Sequence, residues 1–135
     1  MIAAQLAELI GAEQVSANAE VLAAHRFDRW CLKHWQDWQG EALDAPACVV
    51  RPRHTADVQA AVRHAAAHNI PVIPWGLGSG VCGGIEPTPD QILMDMSAMN
   101  QVLSIDEENL LLTVEAGTNG LVAEEAVAER GLTIG

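Results

Sequence analysis

Between Arg63 and Arg130 the chain has no lysine and no arginine, although ten aspartates and glutamates fall in that interval. Over the whole chain 18 acidic residues stand against 7 basic ones, a net charge of −11. A surface that neutralises nucleic-acid phosphates needs clustered Lys and Arg, so this deficit argues against nucleic-acid binding. Tyrosine is absent and phenylalanine occurs once, which leaves the aromatic content to four tryptophans. The three cysteines, Cys31, Cys48 and Cys82, lie far apart and form no CxxC. A reducing, cytoplasmic setting is the expectation from that usage. No apolar run reaches the length of a membrane span. The opening "MIAAQLAELIGAEQV" is amphipathic and acidic, unlike a basic region followed by a cleavage site.

What the chain does have is glycine in one place. Five of its eleven glycines fall between Gly76 and Gly84, inside "VIPWGLGSGVCGGIEP". Each costs roughly 0.5–1 kcal/mol relative to Ala wherever a regular element could have formed. The 135 residues suit one domain with a real core.

The surrounding pattern is α+β. Ile2, Leu6, Leu9 and Ile10 recur at helical spacing and Gly11 stops that helix. A second short helical stretch begins near Ser16. "HRFDRWCLKHWQDWQG", His25 to Gly40, fits no clean period and reads as irregular, with one helical turn at most. "ACVV", 47–50, is a strand. Thr55 is positioned to cap a helix that places Val58, Ala61, Val62 and Ala65 on one face, and Asn69 ends it in a left-handed conformation. "IPVIP", 70–74, is the next strand, so this region forms a βαβ unit with parallel strands. Strands at 91–96, 102–105 and 110–115 follow, the last two joined by the turn "DEEN". Thr118 or Asn119 caps a last helix that Gly131 ends.

Three chemistries compete for the glycine run. Gly78, Gly80 and Gly83 satisfy GxGxxG, but that motif must open a helix, and "GIEPTPD" follows instead. A Walker A loop needs Lys and then Ser or Thr after its last glycine, and no Lys is present. The third reading is a nest, in which successive backbone amides converge on an anion. With no Lys or Arg expected nearby, only backbone amides and the Ser79 hydroxyl are left to neutralise a phosphate. A tight structural turn explains the glycines equally well.

Other candidates carry blander readings. His64 and His68 stand four apart on a helix, a metal-pair spacing, with no third ligand signalled, so both read as exposed polar residues. His54 reads as solvent-facing. Trp30, Trp35 and Trp38 read as closing one side of a small core, and Arg26, Asp28 and Arg29 as an ion-paired surface. Cys82 reads as a small filler and 106–109 as a solvated turn.

"VVRPRHTADVQAAVRHAAAHNIPVIPWGLGSGVCGG", then "ILMDMSAMNQVLSIDEENLLLTVEAG" and "GLTIG", resemble the start of an FAD-binding domain of the vanillyl-alcohol-oxidase or p-cresol methylhydroxylase type. The resemblance covers about 46–135 and is nearest the branch of alkylglycerone-phosphate synthases and D-2-hydroxyacid dehydrogenases. It implies an α+β fold in which 1–45 form an N-terminal helical or irregular segment and 46–135 the first half of the FAD-binding domain. The half-domain would contain a βαβ unit, the Gly-rich loop and a small mixed sheet. It implies FAD held through backbone amides of Trp75, Gly76, Leu77, Gly78, Ser79, Gly80 and Val81, with Gly117 of "VEAG" in a turn near the flavin. Many members attach the flavin to a His of this loop. Ser79 stands at the matching position, which implies non-covalent FAD. The implied activity is hydride removal from a 2-hydroxy acid or similar CH–OH donor, a small-molecule substrate. A synthase-like flavoenzyme fragment and a non-catalytic truncated remnant are the alternatives. The resemblance assigns no catalytic residue within these positions. It implies association with a missing C-terminal part, or self-association through the exposed half-sheet.

Overall fold

The computed structural model describes residues 2–135. Helix α1 (Ile2–Ile10) is followed by a short 3-10 turn and by β1 (Val15–Ser16). Then come α2 (Ala19–Ala24), α3 (Cys31–Trp38), β2 (Cys48–Val50), α4 (Thr55–Ala67) and β3 (Val72–Trp75). Strands β4 (Ile92–Asp95), β5 (Val102–Asp106) and β6 (Leu111–Val114) precede the last helix, α5 (Gly120–Ala128).

The main sheet is mixed, in the order β1-β2-β4-β3. β2 and β3 both pair parallel with β4, in registers Val49↔Leu93 and Ile73↔Leu93. The two strands of the βαβ unit are therefore parallel, as the pattern required, but β4 lies between them. β4 is the central strand and buries all four of its residues, as expected of a strand covered on both faces. β1 adds to the far edge antiparallel, Val15 opposite Val50.

Side chains alternate along the strands. Cys48 and Val50 of β2 and Ile92 and Met94 of β4 share one core with Leu6 and Ile10 of α1 and Ala61 and Ala65 of α4. Complete burial of Leu6 contributes about 1.5–3 kcal/mol. Residues before position 46 are thus part of the principal core. Val62, expected on the buried face of α4, is instead 45% exposed. The small alanines beside it let α1 approach closely enough that only a narrow stripe is covered. Val49, Leu93 and Asp95 occupy alternate positions to that core and are also buried. Helix α2 contacts β2.

Local signals mostly act as expected. Asn69 has φ 55. The Asn119 side chain accepts the Leu121 N–H at the start of α5. The Asp106 carboxylate accepts the Asn109 N–H within the β5–β6 turn, at 2.9 Å. Thr55 is not the cap of α4; it is the first helical residue and His54 precedes it as cap. The Asp57 carboxylate reaches back to the His54 and Arg53 amides, each at 3.0 Å, and this moves the helix start by one residue. The 25–40 region also departs from its reading, because eight of its residues form α3. Trp35 and Trp38 there are 57% and 73% exposed, so they close no core. Leu32, Trp35 and Trp38 recur at helical spacing on one face of α3, but that face is exposed, so the stripe marks no core.

Candidate functional site

The Gly-rich loop leaves β3 at Trp75 and forms no regular element before β4. It emerges from the carboxyl end of a parallel strand, the side on which open α/β sheets bind ligands. Gly78 has φ 62, and a Cβ there would enter the Trp75 indole. Gly83 has φ 74, and a Cβ there would enter the Trp30 ring. Glycine is therefore required at both positions by left-handed backbone and by the ring beneath it. Among the described residues, none accepts a hydrogen bond from the backbone amides of Leu77 through Gly83. Unpaired donors in sequence are the raw material of an anion nest.

A strap from the N-terminal segment holds this loop. Asp28 is 3% exposed. Its carboxylate accepts the Gly84 N–H at 3.0 Å and the Trp30 N–H at 3.0 Å. The Arg29 N–H donates to the Gly80 carbonyl at 2.8 Å, and Lys33 Nζ pairs with Glu86 at 2.5 Å. A hydrogen bond to a charged, buried acceptor contributes about 1.5–3 kcal/mol, so Asp28 is the main fastening. Asp28 is not part of an ion-paired surface: Arg26 pairs with Asp37 instead, at 2.8 Å. Gly80 lacks a Cβ for the same reason, since one would stand 2.7 Å from the Asp28 carboxylate.

Behind the loop lies a second polar cluster. Asp95, at the end of β4, is 2% exposed. Its Oδ2 accepts from Arg51 Nε at 2.7 Å and faces His25 Nε2 at 3.4 Å, while Oδ1 accepts the Ser97 N–H at 2.9 Å. His25 Nδ1 lies 2.7 Å from the Val21 carbonyl, which places a proton on Nδ1. Nε2 then donates to Asp95 only in the imidazolium form. Burial works to raise the Asp95 pKa, but the bonds from His25, Ser97 and Arg51 outweigh it and hold the carboxyl well below the usual range. The Asp95 hydrogen bond raises His25 above its ordinary value against the opposing effect of burial. The His25 ring also packs on Trp75, centroids 4.9 Å apart. Sheet, strap and loop therefore meet at one point.

Trp75 ends β3, and Gly76, Leu77, Gly78, Ser79, Gly80 and Val81 follow it on this loop, with Ser79 and Val81 exposed. Asp28 and residues Gly76 to Gly80 line a cavity of about 290 Å³. Gly117 is buried in the turn after β6, where a Cβ would collide with the Met96 carbonyl. The carbonyl of its neighbour Ala116 stands 3.8 Å from the Cβ position of Gly76, so that turn flanks the loop. The expectation that no cation lies near the loop does not survive folding. Arg26 and Arg29 line a cavity of about 350 Å³ together with Trp75, Leu77 and Gly78. Sequence reasoning missed Asp28, Arg29, His25 and Asp95 because each acts across a long sequence separation. Elsewhere the His64 and His68 rings are 4.2 Å apart, and among the described residues no third metal-ligating group joins them.

Comparison with known proteins bears on this geometry. Residues 46–135 match the FAD binding domain family. Glycolate oxidase subunit GlcD of Bacillus subtilis is 38% identical over 87 residues, 64% of this chain and 18% of that protein. The FAD-linked oxidoreductase YgcU of Escherichia coli K12 is 35% identical over 133 residues, 97% of this chain and 27% of that protein. An alkyldihydroxyacetonephosphate synthase structure superposes with a TM-score of 0.88 at 25% identity, over 99% of this chain and 26% of that one. A p-cresol methylhydroxylase structure shares the fold with a TM-score of 0.73 at 21% identity, over 97% of this chain and 24% of that one. The chain thus spans between 18% and 27% of the length of these relatives. A Gly-rich loop with unpaired amides, a mixed α+β fold and a family match over 46–135 agree, and the chain belongs to the FAD binding domain family.

Proposed function

We propose that this chain is the diphosphate-holding portion of an FAD-dependent oxidoreductase acting on a 2-hydroxy acid or a similar CH–OH donor. The observation that carries the reading is the run of unpartnered amides from Leu77 to Gly83, held open by Asp28. The residues fit the cofactor: glycines leave the backbone bare to a diphosphate, and Gly78 supplies the left-handed backbone that a nest uses. Trp75, Gly76, Leu77, Gly78, Ser79, Gly80 and Val81 would hold it, with Gly117 in the flanking turn. When bound, flavin accepts hydride from the carbon bearing the hydroxyl. The chain's own part is to bind and orient the cofactor through the loop. The names of the relatives glycolate oxidase and D-2-hydroxyglutarate dehydrogenase support the donor class. A synthase-like flavoenzyme is the second reading, favoured by the superposition on alkyldihydroxyacetonephosphate synthase.

Residues 46–135 in this reading form the first half of the FAD-binding domain, and 1–45 the segment that carries the strap. A reducing cytoplasmic setting stays the reading suggested by the cysteine spacing. Among the described residues no helix is long and apolar enough to cross a membrane. Leu110, Leu111 and Leu121, each at least 61% exposed, favour association with more chain or with a second copy.

In this reading the flavin is non-covalent, because Ser79 stands where the resemblance implies an attaching His. Acid precipitation of the FAD-loaded protein is expected to leave all the yellow colour in the supernatant. Colour retained in the pellet would show a covalent bond, and absence of flavin uptake would remove the proposed function itself.

A further inference from the structure

We propose that the Arg29 guanidinium supplies the positive charge that pairs with the diphosphate of FAD at the Gly76–Gly84 loop; this rests on the function proposed above. The strap carries three cations. Arg26 is paired with Asp37 and Lys33 with Glu86. Arg29 is exposed and has no ion-pair partner among the described residues. Its backbone is fixed against the loop, because its N–H donates to the Gly80 carbonyl at 2.8 Å. It lines a cavity beside Leu77 and Gly78.

The electrostatics require such a group. Asp28 already places a carboxylate on the wall of the cavity formed by Gly76 to Gly80, and a diphosphate adds two more negative charges there. Two of the nearest amides, those of Gly84 and Trp30, are committed to Asp28. The interval from Arg63 to Arg130 contributes no cation. Arg29 lines not that cavity but the adjoining one, which shares Asp28, Leu77 and Gly78 with it; it is the strap cation that is unpaired and next in sequence to the carboxylate it would offset. A planar guanidinium also matches a diphosphate with paired donors. Only the main-chain N–H of Arg29 is used in holding the loop, so the side chain is free for a ligand.

Titration of the full chain with FAD and with riboflavin, followed by flavin fluorescence at low and moderate salt, tests this. The variants are Arg29→Gln, Arg29→Lys, and Arg63→Gln, which removes one charge from an exposed position on α4. Arg29→Gln is expected to weaken FAD about tenfold, the loss of one hydrogen-bonded charge pair, and to reduce its salt sensitivity. Arg29→Lys should recover most of the loss, Arg63→Gln should match the parent, and riboflavin, which has no phosphate, should not respond. FAD affinity of Arg29→Gln within about twofold of the parent, or an equal loss in Arg63→Gln, would overturn the inference and leave the proposed function standing. Failure of the parent chain to prefer FAD over riboflavin would overturn both. Circular dichroism of each variant separates loss of fold from loss of charge. Should Arg29→Gln misfold, the same comparison between the parent and Arg29→Lys at rising salt decides the matter: salt-insensitive FAD binding by both would refute the pairing.

Discussion

Gly78→Val is expected to abolish useful FAD binding, weakening it about a hundredfold or more, whereas Ser79→Ala weakens it only severalfold. Gly78 has φ 62, and holding a β-branched residue there costs about 1–3 kcal/mol. Its Cβ would also enter the Trp75 ring, and forced overpacking adds about 1–3 kcal/mol. Neither cost is met without moving the loop, and each 1.4 kcal/mol of displaced cradle removes about a factor of ten in affinity. Ser79 is exposed and offers one hydroxyl, a net hydrogen bond of about 0.5–1.5 kcal/mol. Parallel FAD titrations of the two variants check the ordering. Equal losses, or a larger loss in Ser79→Ala, would show that a side chain and not the backbone holds the cofactor.

The largest effect on stability is expected from Asp95→Ala. Its buried carboxylate is the shared partner of Arg51, His25 and the Ser97 amide. The Arg51 side chain is 51% exposed and His25 can release its proton, so neither is left as a stranded buried charge. The cost is that of the lost charged hydrogen bonds, about 1.5–3 kcal/mol. The pH dependence has two wings. Asp95 is depressed in the fold, so its contribution is present above the ordinary carboxylate range and is lost as pH falls through the lower folded value. His25 is raised above 6.5, so its contribution is fully present below 6.5 and is lost as pH rises through the folded value. The parent should therefore be most stable in mildly acidic solution and weaken on both sides. Urea unfolding of parent and variant across this range checks both points. Asp95→Ala should be destabilised, should lose the alkaline decline and should show a shallower acid decline, since Asp106 and Glu124 are also held below their ordinary values. A variant that keeps the alkaline decline would show that another group is responsible for it.

How much of this was legible in the sequence follows from the range of each interaction. The helix at 2–10, the left-handed Asn69 and the turn at 106–109 are set by neighbours within a few residues and are read directly. The cap of α5 is read to one of two adjacent residues, Thr118 or Asn119, of which Asn119 is the one used. The βαβ unit was legible as parallel, but the insertion of β4 between β2 and β3 was not, because no local pattern states which strands are adjacent. β1, two residues long, is defined only by pairing with β2. The Gly-rich loop announced itself by composition, and its left-handed Gly78 and Gly83 explain two of the glycines. The strap did not. Asp28 meets Gly84 across 56 positions, and Arg51 meets Asp95 across 44. The interval without cations in sequence thus faces, in space, a strap whose Arg26 and Arg29 line a cavity beside Leu77 and Gly78.

The amides themselves provide the most direct test. In two-dimensional ¹H–¹⁵N spectra of the labelled chain titrated with FAD, the largest shifts should fall on Leu77 through Gly83, with smaller ones at Gly84, whose N–H is already held by Asp28. Shifts centred on β5, β6 and α5, or none at the loop while flavin binds, would contradict the assignment of the Gly-rich loop as the FAD cradle.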